Sequence, residues 1–238
     1  MQYSSLLSNS VRRSLDMFPP LQSDWNDYSI SFFHWTVKKF SLVSRQGSVR
    51  KIGDVIFFQD WPDFKPNMTP REIFSEGSFG GSYWRPIFSS ILSKHLKSQH
   101  LEFEKWWEGV SEEMMSSEIY DRKKNRYQVK CGTSLEMWES KGWIREQDPY
   151  GWIQWYCRFF DGRRSPDDER QVRRWKAFSG PSGRFRIQLI NRVIAKEGRY
   201  DDESISPVIR QSLQHWAYRL TLSDFEEYAL EKWKESMS

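Results

Sequence analysis

The sequence predicts an α+β fold, predominantly α-helical in the C-terminal two thirds with a small N-terminal β-hairpin or sheet. Three observations predict it. From Thr69 onward, Ser or Thr recurs just before a proline or an acid, as helix N-termini require. Glycine recurs where each such helix should stop. Runs of β-branched and aromatic residues are concentrated upstream of Trp61.

Taken in order, residues 1–24 are polar and read as a flexible N-terminal segment, followed by one globular domain over 25–238. Ile30 to Phe40 and Val49 to Phe58 read as strands, which a Gln46-Gly47-Ser48 turn could join as a hairpin. Thr69-Pro70-Arg71-Glu72 supplies an N-cap, a first-turn proline and a capping-box acid, with Gly77 as the stop. Thr133-Ser134-Leu135-Glu136 repeats the box and stops at Gly142. Ser165-Pro166-Asp167-Asp168 opens a helix toward Phe178 and Gly180. Gly183 to Glu197 carries an apolar row of Phe185, Leu189 and Val193, widened by Ile187, Ile190 and Ile194. Ser206-Pro207 opens a helix through Leu220, and Ser223-Asp224-Phe225-Glu226 opens the last.

The composition fixes what fills the core. With 13 Trp, 16 Phe and 10 Tyr against sparse aliphatics, edge-to-face ring packing with indole and phenol hydrogen bonds should dominate it. No apolar run approaches the roughly 20 residues of a membrane helix, and the N-terminus lacks the apolar stretch of a secretory signal. Arg12 and Arg13 among serines read as a polar terminus rather than an organelle transit peptide, so a cytoplasmic location is expected. Two cysteines, Cys131 and Cys157, exclude a disulfide framework and a thiolate zinc cluster. The four histidines have no ligand spacing, so no metal and no cofactor are expected.

Net charge is +4, but it is unevenly placed. Arg158 to Arg192 holds nine Arg and one Lys against Asp161, Asp167, Asp168 and Glu169, which leaves +6 locally and about −2 elsewhere.

Four constellations could carry chemistry. The glycines of GSFGGSYWRPI, from Gly77, allow a close backbone approach, either for a ligand or for a tight turn, and lead to Tyr83 and Arg85. In VKCGTSLEMWESKGWI, Cys131 precedes a capped helix start, although a nucleophile would need a base; Glu136 either serves the cap or faces a cleft. In DPYGWIQWYCRFF, an extended chain would put Trp152, Gln154, Tyr156 and Arg158 on one face, with Ile153, Trp155, Cys157 and Phe159 opposite. A helix would mix these sets. Lastly, Arg170, Arg173 and Arg174 form a helical stripe beside Trp175, and Arg163 and Arg164 after Gly162 suit an oriented anion clamp.

The ordered string Trp61-Pro62-Asp63-Phe64, Pro66-Asn67, TPREIF, GSFGGSYWRPI, KCGTSLEMWESKGWI, DPYGWIQWYCRFF, GRRS and DDERQ resembles a protein family of fungi, algae and some bacteria that has no established activity. The resemblance spans roughly Trp61 to Arg192. It implies one domain in which the four constellations belong to one site, and it supplies no catalytic residue.

The expectation that follows is a metal-independent enzyme or ligand-binding domain for a small anionic or planar molecule in an aromatic-walled pocket. Tyr83, Arg85, Arg158, Arg163 and Arg164 would hold the ligand, Trp152 and Trp155 would stack on it, and Asp148, Tyr156 and Glu136 would move protons. Two alternatives stand beside it. One is a nucleic-acid-binding protein using the Arg-rich helices over 166–197, with Arg184, Gln188 and Asn191 reading bases. The other is a protein-interaction subunit, of an oligomeric state the sequence does not fix.

Overall fold

The structure, a computed structural model, describes residues 50–237. The segment expected to be flexible over 1–24, the strand expected over Ile30 to Phe40 and the turn at Gln46 to Ser48 lie outside them, and so does part of the single domain expected over 25–238. The larger of two compact units comprises Ile52–Leu189 and Glu203–Leu220, and the other takes in Ile190–Asp202 and residues 221–237.

The fold is α+β and mostly helical. Helices α1 (Pro70–Ser75), α2 (Leu135–Ser140), α3 (Trp152–Phe160), α4 (Asp168–Ser179) and α6 (Pro207–His215) belong to the larger unit, α5 (Arg184–Ala195) begins there, and α7 (Leu222–Met237) lies in the smaller. Strands β1 (Ile87–Ser89) and β2 (Lys94–Leu96) pair antiparallel, Ile87 with Leu96 and Ser89 with Lys94. Residues 50–58, expected to be part of a strand, form none. The Gly53 and Ile56 N–H groups donate to the carbonyls of Asn67 and Pro66, and Pro66 has no N–H with which to extend a ladder.

The capping signals act largely as the sequence implies. Thr69 and Glu72 exchange hydrogen bonds as a capping box on α1. On α2 the cap is Ser134, one residue later than expected: its hydroxyl accepts the Met137 N–H at 3.3 Å, while the Thr133 hydroxyl accepts the Trp138 indole N–H at 2.6 Å. Helix α6 stops at His215 rather than Leu220: Ala217 adopts φ +55, and its carbonyl accepts the N–H groups of Asn67 and Met68. Thr221 caps α7 by accepting the Asp224 N–H, so that helix starts slightly ahead of its predicted box.

The core of the larger unit is aromatic, as composition requires. Phe64 is fully buried and meets Trp155 and, edge-on, Trp152, Tyr156, Phe159 and Trp175, all from α3 and α4. Three indoles of this core have their N–H groups satisfied: Trp152 donates to the His215 carbonyl, Trp155 to Asp168 and Trp175 to the Trp216 carbonyl.

Candidate functional site

The DPYGW segment is helical, and that decides where its side chains go. Helix α3 buries Trp152, Ile153, Gln154, Trp155, Tyr156, Cys157 and Phe159, so the mixed face replaces the extended one. Trp152 and Trp155, expected to stack on a ligand, are core residues, and the Tyr156 hydroxyl is buried and donates to the Met68 carbonyl. Tyr83 is buried too. Its phenol oxygen accepts the N–H groups of Ile153 and Gln154 and donates to the Tyr150 carbonyl, so it caps α3, whose N-cap position, Gly151, has no side chain to do so. Burial holds the Tyr83 hydroxyl well above its usual pKa.

The glycine loop is a packing device. At Gly77 and Gly81 the backbone has positive φ, and an added Cβ would lie 2.3 Å from the carbonyl oxygens of Lys124 and Glu113. Its polar groups are spent internally. The Gly77 carbonyl accepts from the Gln211 and Gln214 side chains, and the Gly80 N–H donates to Asn125. Arg85 returns to Ser82 of the same loop, and Glu136 is exposed on α2, its carboxyl held below the usual range by a hydrogen bond from Ser134.

What the fold does bring together is Asp148, Arg158 and Arg163. Helix α3 ends in a Schellman turn: the Gly162 N–H bonds the Phe159 carbonyl and the Arg163 N–H bonds that of Arg158, with Gly162 at φ +98. This turn folds Arg163 back beside Arg158. Both guanidinium groups converge on Asp148, which is only 1% exposed. Arg163 grips it bidentately at 2.8 and 2.7 Å, and Arg158 adds one bond at 2.9 Å. The outer fork of Arg158 is held by Glu102, at 2.7 and 2.6 Å, a carboxylate whose side chain is 41% exposed. Glu102, Phe103, Arg158, Asp161 and Arg163 line a groove of about 440 Å³. The Arg163 Nε is buried and has no acceptor among the described residues.

Arg164 points elsewhere, forming a fork with Asp60 and lying 3.8 Å from the Phe159 ring centroid. Arg170 pairs with Asp167 and Arg173 with Glu169. Part of the local charge excess therefore meets acids that the local count omits, Asp60, Asp63, Glu102 and Asp148.

Sequence reasoning missed one pairing. The Cys131 Sγ lies 3.4 Å from the His215 Nδ1, across 84 residues. The Phe79 N–H donates to the His215 Nε2 at 3.0 Å, and a backbone N–H can only donate, so the ring proton sits on Nδ1 and points at sulfur. The imidazole is thus a donor to the thiol and not its base. Burial lowers the His215 pKa to about 3 and raises that of Cys131 to about 11, so both groups are neutral. No short-range signal could have found this contact, since α6 and the residue before Gly132 meet only in the fold.

No helix among the described residues is long and apolar enough to cross a membrane. No protein-family model, curated protein or solved structure matches the chain.

Proposed function

We propose that the chain is a binding domain, not a catalyst, for a small carboxylate-bearing molecule held by Arg158 and Arg163. The observation that carries this is the buried Asp148, which fixes two guanidinium groups at the wall of one groove. Asp148 aims both cations without being available for proton transfer, because guanidinium groups occupy both its oxygens. Glu102 sits on the Arg158 fork as an internal stand-in for the ligand, and its exposure lets an external carboxylate compete. Tyr156 and Glu136, the other proton-transfer candidates, lie respectively in the core and on the open surface, which supports binding over catalysis. The DPYGW and GRRS segments, which carry the family resemblance, are those that build this hub. We place the protein in a reducing, cytosol-like compartment, where its two free thiols are at home.

Calorimetric titration with succinate tests the reading. Glu102→Gln should bind roughly tenfold more tightly than the wild type, about 1.4 kcal/mol, and a further Arg158→Gln should abolish the gain. Equal affinity of wild type and Glu102→Gln would overturn it.

The nucleic-acid reading keeps one supporting observation, the exposure of Arg184 and Gln188 on α5. Arg164, Arg170 and Arg173, which would widen a basic surface around that helix, are each paired with a carboxylate and offer little to phosphate. Affinity for DNA or RNA that falls with salt would favour it.

A further inference from the structure

Arg174 differs from every arginine before it in the basic segment. Arg158, Arg163, Arg164, Arg170 and Arg173 each have a carboxylate within ion-pair distance, whereas Arg174 has none among the described residues. Among the described residues its one hydrogen bond runs from Nη1 to the Gln171 side-chain oxygen at 2.9 Å, which leaves most of the five N–H donors of the guanidinium without an acceptor there. The group nonetheless sits against protein. Its Cζ lies 5.3 Å from the Trp216 ring centroid and 5.7 Å from that of Trp143. Burial and the neighbouring Arg170 charge lower its pKa to about 10, the direction of a cation lacking its anion.

The surroundings say what kind of anion would fit. Indole faces over the guanidinium attract the cation but cannot accept its in-plane N–H groups, so an oxyanion must approach along the guanidinium edge. Trp143 is 43% exposed, a large indole left open beside that cation. Arg170 ties this corner together, holding Asp167 by a fork and reaching toward the Trp143 carbonyl at 3.4 Å. From Asp167 and Ile144 a groove of about 860 Å³ extends past Ile91, Leu92 and Gln147.

We propose that Arg174, Trp143 and Trp216 form a binding site for a carboxylate borne on a flat aromatic ring. The carboxylate takes the free edge of Arg174, and the ring lies against the exposed indole of Trp143. The site is independent of the Arg158 and Arg163 hub, shares no residue with it and does not require Glu102 to move.

Titration with 2-naphthoate, followed by calorimetry and by ligand-observed NMR, tests this. The wild type should bind 2-naphthoate and should bind neutral 2-naphthamide and ring-free acetate at least about tenfold more weakly. Arg174→Gln and Trp143→Ala should each weaken 2-naphthoate by about tenfold or more, and Glu102→Gln should leave it unchanged. Trp143 is on the surface, so its variant reports on the site even where Arg174→Gln does not fold, as circular dichroism would reveal. Equal binding of naphthoate and naphthamide, binding indifferent to Trp143→Ala, or no binding by the wild type would each overturn the proposal. Failure here together with succinate binding by Glu102→Gln would refute this site and leave the first standing.

Discussion

Asp148 holds Arg163 by both terminal nitrogens while its own side chain is almost wholly removed from water. An ion pair so placed gains little over an apolar substitute, but breaking it from one side leaves charge stranded. Asp148→Ala would strand Arg163 and one bond of Arg158, and should cost about 3–5 kcal/mol in urea unfolding. Wild-type stability in that variant would mean that the arginines find other partners and that the hub is not fixed by Asp148.

The tryptophans of α3 are expected to matter for stability rather than for ligand. Trp155 is fully buried, packs on Phe64 and donates to Asp168, so Trp155→Ala should lose about 3–5 kcal/mol. Succinate affinity in the remaining folded fraction should be unchanged. A variant that kept its stability but lost ligand would return Trp155 to a pocket wall.

The neutral His215 predicts a pH dependence with a definite sign. Its folded pKa, about 3, lies below the unfolded value near 6.5, so between these limits the unfolded chain binds the extra proton. Stability from this group is therefore present above about pH 6.5 and is lost as pH falls through that window, by about 2 kcal/mol at pH 5. His215→Gln should be less stable at pH 7 and should show a shallower fall in urea midpoint from pH 7 to pH 5. Parallel pH profiles for the two proteins would contradict the buried, neutral assignment.

The glycine loop gives a steric test. A Cβ at Gly81 would meet the Glu113 carbonyl oxygen at 2.3 Å, on a backbone already at φ +75. Gly81→Ala should cost about 2 kcal/mol or more, whereas an alanine at Gly132, where nothing lies within 4 Å, should cost only the strain of its positive φ. Equal thermal shifts in the two variants would show that Gly81 is not tightly packed.

Much of this was legible in local sequence because local bonds decide it. The Thr69 box and the stop at Gly180 needed only residues within one turn. The start of α2 differs by one residue within its own first turns, where Ser134 takes the cap, whereas the end of α6 differs by several because distant groups, the Asn67 and Met68 N–H groups, bond the Ala217 carbonyl. The site shows the same division. Gly162 followed by two arginines signalled the turn that sets Arg163 beside Arg158, and Asp148 stood in a recognisable turn. Nothing in the sequence announced that Glu102, 56 residues away from Arg158, would occupy its fork, or that Arg174 alone of its stripe would lack an acid among the described residues. The aromatic wall was misplaced because the period of α3 is helical, which turns both candidate tryptophans inward.

The Arg158 fork that Glu102 occupies is a site for a carboxylate from solution, and the most direct measurement of it is the ¹H–¹⁵N resonance of the Arg158 Nε–H group. In Glu102→Gln, added succinate should move that resonance saturably while the Nε–H of Arg164, paired with Asp60, stays in place. A resonance that does not move, or that moves together with that of Arg164 and without saturation, would contradict the account.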